Sequence, residues 1–238
     1  MRFYCDNITE GQLELSGDEG RHLSLVLRAA VGDQIELFDG KGVLAGAQIV
    51  QVKKEKVLLA IKTLQHIPPR KTKVMIASSI AKGERFDWLI EKCVELGVDH
   101  IWPVLFERTV KQGKENAGQR YHKLAISAAK QSQNVFIPDI ASPAKLPDVI
   151  SYIKEQYPSA QIVFGSLSPH SRTIAQITQP VRDIVAMIGP EGGMSDAEEQ
   201  LLQNSGAIPV KLTSTILRIE TAAVTFAAAL CLARDSHS

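Results

Sequence analysis

The chain has 238 residues, 45% of them hydrophobic and 22% charged, with a formal net charge of +1. That is the composition of a folded globular protein with material for one large domain or two modest ones. It argues against a disulfide framework, a zinc site and a membrane span: the three cysteines (Cys5, Cys93, Cys231) are odd in number and far apart, and the longest apolar stretch, Ala222 to Ala233, is broken by Thr225.

In chain order, Met1-Arg2-Phe3-Tyr4-Cys5-Asp6 has no apolar signal region, so a cytoplasmic chain is expected. Ser16-Gly17-Asp18-Glu19 reads as a capping box before a short helix carrying His22, Leu23, Val26 and Leu27. Gln34 to Phe38 is a strand, and Asp39-Gly40 a hairpin signal. Strands are predicted at about Val43 to Val52 and Val57 to Leu64, either side of the charged turn Lys53-Lys54-Glu55-Lys56. Closely spaced strands with tight turns predict a small barrel. Ile67-Pro68-Pro69-Arg70 cannot continue a sheet ladder, which places a domain boundary there and gives domains at 1–69 and 70–238.

Beyond Lys71 the period changes. Val74 to Ala77 is a short apolar strand, followed by a helix from about Glu84 with Phe86, Leu89, Ile90 and Cys93 on one face, ending at Gly97. Further strands are predicted at His100 to Leu105, Gln161 to Phe164, Ile184 to Ile188 and Ile208 to Leu212. Helices are predicted at Gln119 to Ser132, after a second capping box at Ser195-Asp196-Ala197-Glu198, and at Glu220 to Arg234. Strands alternating with helices imply an α/β domain with a mainly parallel sheet covered on both faces. Cys93 and Cys231 fall in apolar helical patterns and are expected as buried structural thiols.

Charge is unevenly spread. Residues 1–71 hold ten basic and nine acidic side chains, residues 72–135 ten and seven, and residues 136–238 seven and ten. Six basic residues (Arg108, Lys111, Lys114, Arg120, Lys123, Lys130) face one acid, Glu115, over a short stretch. Such a cluster suits a phosphate backbone, and equally a solvated helix face.

Chemistry is concentrated at two strand ends, where parallel sheets bind ligands. Ile184 to Ile188 runs into Gly189-Pro190-Glu191-Gly192-Gly193, a loop able to turn sharply and admit a flat ligand close to the main chain, or else a plain Gly/Pro loop. The second is Leu212-Thr213-Ser214-Thr215-Ile216-Leu217-Arg218-Ile219-Glu220-Thr221-Ala222, in which Arg218 and Glu220 could be no more than a helix-start charge pair. There is no G-x-G-x-x-G after a strand, no G-x-S-x-G and no H-x-x-x-H, and Gly40-Lys41-Gly42 sits in a hairpin without the rest of a P-loop.

These two motifs at this spacing resemble those of the bacterial 16S rRNA uracil-N3 methyltransferases (the RsmE family, in the SPOUT class). The resemblance extends through His22-Leu23, Val26-Leu27-Arg28, Gly32-Asp33 and Asp39-Gly40 in the first third. In the middle it takes in Glu95-Leu96-Gly97-Val98, Glu107-Arg108, Ala128-Ala129 and Gln131-Ser132. Arg21, Lys130, Asn134, Thr213 and Thr215 depart from the family pattern. The resemblance implies an N-terminal PUA-like β-barrel that binds RNA, and a C-terminal SPOUT domain tied in a trefoil knot that holds S-adenosylmethionine and forms a homodimer.

Carried onto this chain, the cofactor loops comprise Gly165, Ser166 and Leu167, then Ile188, Gly189, Pro190, Glu191, Gly192 and Gly193, then Leu212, Ser214, Thr215, Ile216, Leu217 and Arg218. The expected reaction is methylation of uridine N3 in small-subunit ribosomal RNA during ribosome maturation, with no metal and no membrane. Arg218 or Arg108 would stabilise the developing uracil anion, Glu220 would orient the arginine, and Glu191 would act as general base. RNA contacts are expected from Arg2, Arg21, His22, Arg28, Lys82, Arg85, Arg108, Lys130 and Gln131. The alternatives are a SPOUT enzyme acting on transfer RNA or on a ribose 2′-OH, and a non-catalytic RNA-binding knotted protein.

Overall fold

The computed structural model describes residues 1–109, 117–177 and 182–236. Two compact units emerge: Met1–Pro69 with Ala129–Ile137, and Arg70–Ala128 with Pro138–Ser238. Among the described residues no helix is long and apolar enough to cross a membrane.

The first unit is built on a five-stranded sheet. Its elements are β1 (Arg2–Tyr4), β2 (Gln12–Leu15), α1 (Gly17–Arg21), a π-helical turn at His22–Val26, β3 (Gln34–Phe38), β4 (Val43–Lys53) and β5 (Lys56–His66). The strand order is β1-β3-β4-β5-β2, antiparallel except for the β1–β3 pair. Alternating side chains fill its core: Ile35 and Leu37 from β3, Ala45, Ala47 and Ile49 from β4, Val57 and Leu59 from β5, with Phe3, Leu15 and Leu23. The Asp39 carboxylate makes the β3–β4 turn, accepting from the backbone N–H groups of Lys41 (2.7 Å) and Val43 (2.9 Å) while Gly40 takes φ +74°.

The capping box expected at Ser16 does not form. Ser16 is the N-cap, but its side chain makes no capping bond. The Glu19 carboxylate instead meets the Lys130 ammonium at 2.8 and 2.9 Å, because a charge-assisted bond outcompetes a neutral backbone N–H. The chain then widens into the π turn, which buries Leu23 and leaves Val26 and Leu27 exposed. Residues 129–137 complete this unit. The Ile137 N–H donates to Gly40 O at 2.8 Å, Phe136 bridges Lys41, the Arg2 guanidinium donates to Gln133 O, and the Lys130 ammonium lies 5.2 Å over the Phe3 ring.

The second unit comprises β6 (Val74–Ser79), α2 (Arg85–Glu95), β7 (His100–Leu105), α3 (Ala117–Ser132), β8 (Asp139–Ile140), β9 (Ala144–Lys145), α4 (Leu146–Gln156), β10 (Gln161–Gly165), β11 (Arg172–Thr173), a 3-10 turn at Ile174–Gln176, β12 (Ile184–Ile188), α5 (Asp196–Asn204), β13 (Ile208–Lys211) and α6 (Ile219–Asp235). The last turn of α3 belongs to the first unit. The sheet runs β11-β13-β10-β12-β6-β7-β8, with β9 on β7, and every pairing is parallel. On one face Met75, Trp102, Val104, Phe164, Val185 and Met187 pack with Leu146, Val149, Ile150 and Ile153 of α4 and Leu202 of α5. The opposite face carries α6 on β6 and β12, with α2 against α6. All five residues of β12 are therefore buried, which is why it reads as an unbroken apolar run.

Helix α4 was not singled out in the sequence, although Leu146, Val149, Ile150 and Ile153 have helical spacing behind Pro147 in the first turn. Cys93 and Cys231 are buried on α2 and α6; burial pushes the first thiol up and the second to about 12, so both stay protonated and inert at neutral pH.

Candidate active site

Three adjacent parallel strands, β13-β10-β12, end on the same edge of the sheet, and the loops leaving them converge. β10 lies between β13 and β12, so the loops that leave all three strands build the site. The cleft they enclose has a volume of about 430 Å³. Gly165, Ser166 and Leu167 line it after β10; Ile188, Gly189, Pro190, Glu191, Gly192 and Gly193 after β12; Leu212, Thr215, Ile216 and Leu217 after β13. Of the expected cofactor residues, Ser214 and Arg218 stand outside this lining. Thr213, within the loop expected at Leu212 to Arg218, also lines it; Met194, Glu199, Val210, Ile219 and Ala222 belong to it and were not anticipated. Ile219 and Ala222 lie on the first turns of α6, where helical periodicity marks them as core and gives no sign that one flank meets a ligand.

Local bonds fix the loop after β12. The Gly193 N–H donates to Pro190 O at 2.9 Å, and Gly193 takes φ +74°, a region that penalises any Cβ. Gly192 has no such φ, and a Cβ there would meet the Arg108 side chain at ordinary contact distance, Cδ at 3.6 Å and Cβ at 3.8 Å, so the packing of the described residues does not require that glycine. The capping box expected at Ser195 is present. The Ser195 N–H donates to Glu198 Oε2 (2.9 Å), and the Glu198 N–H donates to Ser195 Oγ (3.4 Å). Glu198 Oε1 also accepts from the Glu107 N–H (2.7 Å), and the Arg108 guanidinium donates to Gly192 O (2.9 Å). Arg108 is thus a brace for the glycine loop. On the β13 side, the Thr213 hydroxyl donates to Thr215 O at 2.9 Å and shapes that turn.

A second hollow of about 520 Å³ adjoins the cleft and shares Glu191, Ile216 and Leu217 with it; Arg85 and Arg218 complete its lining. The two differ in charge. Among the described residues the cleft is lined by the carboxylates of Glu191 and Glu199 and by no lysine or arginine, while the hollow carries two guanidinium groups. Arg218, the N-cap of α6, is exposed, and its side chain makes no hydrogen bond or ion pair among the described residues. Glu220 does not orient it. That carboxylate is buried in the first turn of α6 and faces Arg85, with Oε1 at 3.8 Å from Nη1, while Arg85 Nη1 donates to Glu191 Oε1 at 2.6 Å. Arg218, as an N-cap, has left the helix and follows a different course.

Of the basic cluster, Arg108 bonds Gly192 O, Arg120 pairs with Asp87 and Lys130 with Glu19; outside it, Arg2 pairs with Glu36 and Gln133 O. Lys111, Lys114 and Glu115 lie outside the described residues. Arg21, Arg28, Lys82 and Gln131 are exposed, whereas His22 is half-buried edge-on to Phe3.

Comparison with known proteins bears on the whole chain. Residues 68–231 match the model of an RNA methyltransferase domain, and residues 15–62 that of an RNA methyltransferase PUA domain. A protein of Buchnera aphidicola subsp. Acyrthosiphon pisum named ribosomal RNA small subunit methyltransferase E is 31% identical, over 94% of this chain and 90% of its own. Among solved structures, a ribosomal RNA small subunit methyltransferase E from Neisseria gonorrhoeae bound to S-adenosyl methionine is 31% identical with a TM-score of 0.86, covering 96% of this chain and 95% of that one. A methyltransferase from Legionella pneumophila in complex with the cofactor SAM is 32% identical with a TM-score of 0.85, covering 96% of each chain. The chain therefore belongs to the RNA methyltransferase family that includes the ribosomal RNA small subunit methyltransferases E.

Proposed function

We propose that the protein methylates N3 of a uridine in small-subunit ribosomal RNA, with S-adenosylmethionine in the strand-end cleft and the target base in the adjoining hollow. The observation that carries this reading is the pair of adjoining spaces with opposite charge. S-adenosylmethionine supplies a methyl group activated by a positively charged sulfur, and it fits a cleft that among the described residues has two carboxylates and no cation on its wall. Leu167 and Ile216, 53% and 82% exposed, leave apolar surface bare for a flat heteroaromatic ring, and the glycines allow the main chain close to it.

The chain's own residues then have two tasks. N3 lies on the Watson–Crick edge, so the base must be unpaired and held in the hollow. There the N3–H proton passes to the Glu191 carboxylate, N3 forms a bond to the methyl carbon, and the carbon–sulfur bond breaks to leave a neutral thioether. Arg218, on the hollow's wall and without a partner among the described residues, donates to a carbonyl oxygen of the base as negative charge develops. Arg108 stabilises the cofactor loop instead of the base. Residues 1–69 would hold the RNA, residues 70–238 would bind the cofactor and form a homodimer, and the reaction would be cytoplasmic.

The test is mass mapping of small-subunit rRNA after incubation of undermethylated subunits with the enzyme and cofactor, with cofactor affinity measured by calorimetry. N3-methyluridine at one position is expected. Arg218→Ala is expected to lower kcat about 100-fold or more with cofactor affinity within threefold. A methyl group on a ribose 2′-OH, or near-normal kcat in that variant, would overturn the assignment.

A further inference from the structure

The family comparison says nothing of Arg85, and its place in the sequence suggests a phosphate contact. Its surroundings argue otherwise. It is the first residue of α2, so its positive charge sits at the positive end of the helix dipole, where a cation is disfavoured. It is kept there by two carboxylates, Glu191 of the loop after β12 at 2.6 Å and Glu220 in the first turn of α6 at 3.8 Å. Glu220 is 8% exposed, and its Oε2 is buried without a hydrogen-bond partner among the described residues. A buried carboxylate so poorly satisfied is costly unless it serves the cation beside it. Arg85 Nε donates to Lys82 O at 3.3 Å and Nη1 to Glu191, while Nη2 has no partner among the described residues.

We propose that Arg85 is a second base-contacting catalytic residue, its free Nη2 donating to one carbonyl oxygen of the uracil while Arg218 donates to the other, and that Glu220 is the positioning residue that holds it. This rests on the proposed uridine N3 reaction. The hollow offers donor groups at Arg85 and Arg218 and an acceptor at Glu191. That set complements the uracil edge, whose O2 and O4 accept and whose N3–H donates. Cytosine presents an amino donor in place of O4 and would set donor against donor. Loss of the N3 proton spreads negative charge over O2 and O4, so both guanidinium groups strengthen their bonds as the reaction proceeds.

The test compares wild type, Arg85→Gln and Arg85→Lys in single-turnover methylation at saturating small subunits, with rRNA KM, its salt dependence and cofactor affinity measured alongside. Arg85→Gln is expected to lower kcat at least tenfold, with cofactor affinity within twofold and rRNA KM and salt slope near wild type; Arg85→Lys should recover part of kcat. Three results overturn the proposal: a kcat for Arg85→Gln within twofold of wild type, an effect confined to KM with a shallower salt slope (a phosphate contact), or a parallel loss of cofactor affinity (a structural role). Nucleoside mapping of the wild-type product is read separately. If wild type modifies another atom, the reading of the reaction fails whatever the variants do.

Discussion

At the scale of single residues, two glycines of one loop carry different obligations. Gly193 sits at φ +74° in a turn closed by its own N–H, whereas Gly192 is free of backbone demand. A β-branched side chain at 193 is strained in that region and would push the loop off the geometry that shapes the cleft. Gly193→Val is expected to weaken S-adenosylmethionine binding tenfold or more, about 1.4 kcal/mol, by calorimetry on a folded variant. Unchanged affinity would remove this loop from the cofactor site. The neighbouring Gly192→Ala serves as the contrast, since its Cβ meets only ordinary contacts, and it should change affinity far less if the ligand leaves the same room.

At the scale of elements, caps and buried ring clusters set stability. The Ser195 cap opens α5, and Glu198 closes the reciprocal bond while also holding the Glu107 N–H. Ser195→Ala is expected to cost about 1 kcal/mol, read as a lower urea midpoint at unchanged slope. The start of β7 carries a pH-sensitive group. His100 stacks on Trp102 (5.2 Å between ring centroids, 8° between planes), and its Nε2 lies 2.8 Å from the Tyr157 hydroxyl. Burial holds its pKa below the usual histidine value; Lys73 adds to this, and Asp139, Asp99 and Asp183 oppose it. The neutral ring accepts from the Tyr157 O–H, so folding favours the unprotonated form. Its contribution is therefore fully present above the unfolded pKa of about 6.5 and is lost as pH falls toward the lower folded value. Thermal midpoints are expected to drop between pH 7 and 5, and the drop should be smaller in His100→Gln. An identical acid slope in that variant would assign the effect to other groups.

At the scale of the whole molecule, the first compact unit is not contiguous in sequence. Residues 129–137 complete it through the Ile137–Gly40 bond, the Lys41–Phe136 bridge, the Lys130–Glu19 pair and the Arg2–Gln133 contact. A chain starting at Arg70 therefore strips the partners from that segment. It is expected to melt lower than the full chain and to lose hydrogen-exchange protection across Ala129–Ile137. A truncated chain with the full-length melting temperature would show the segment to be self-sufficient.

The sequence by itself determined the periodic elements: β12 as an unbroken apolar run, the amphipathic face of α2, the Asp39-Gly40 hairpin and the Ser195 cap, each specified by neighbours a few residues apart. It also marked the glycine loop after β12 and the loop after β13, because a Gly-rich turn and a polar run before a helix are local signals. Tertiary structure decided what depends on partners far along the chain. Glu19 gave up its cap to Lys130, 111 positions away, and Glu220 faced Arg85 rather than Arg218 two residues from it. Arg85, 106 positions from Glu191, became part of the hollow only because β6 and β12 pair side by side in the sheet. Charge pairing follows distance in space, and no spacing rule along a chain encodes that distance once the strands have been reordered into a sheet.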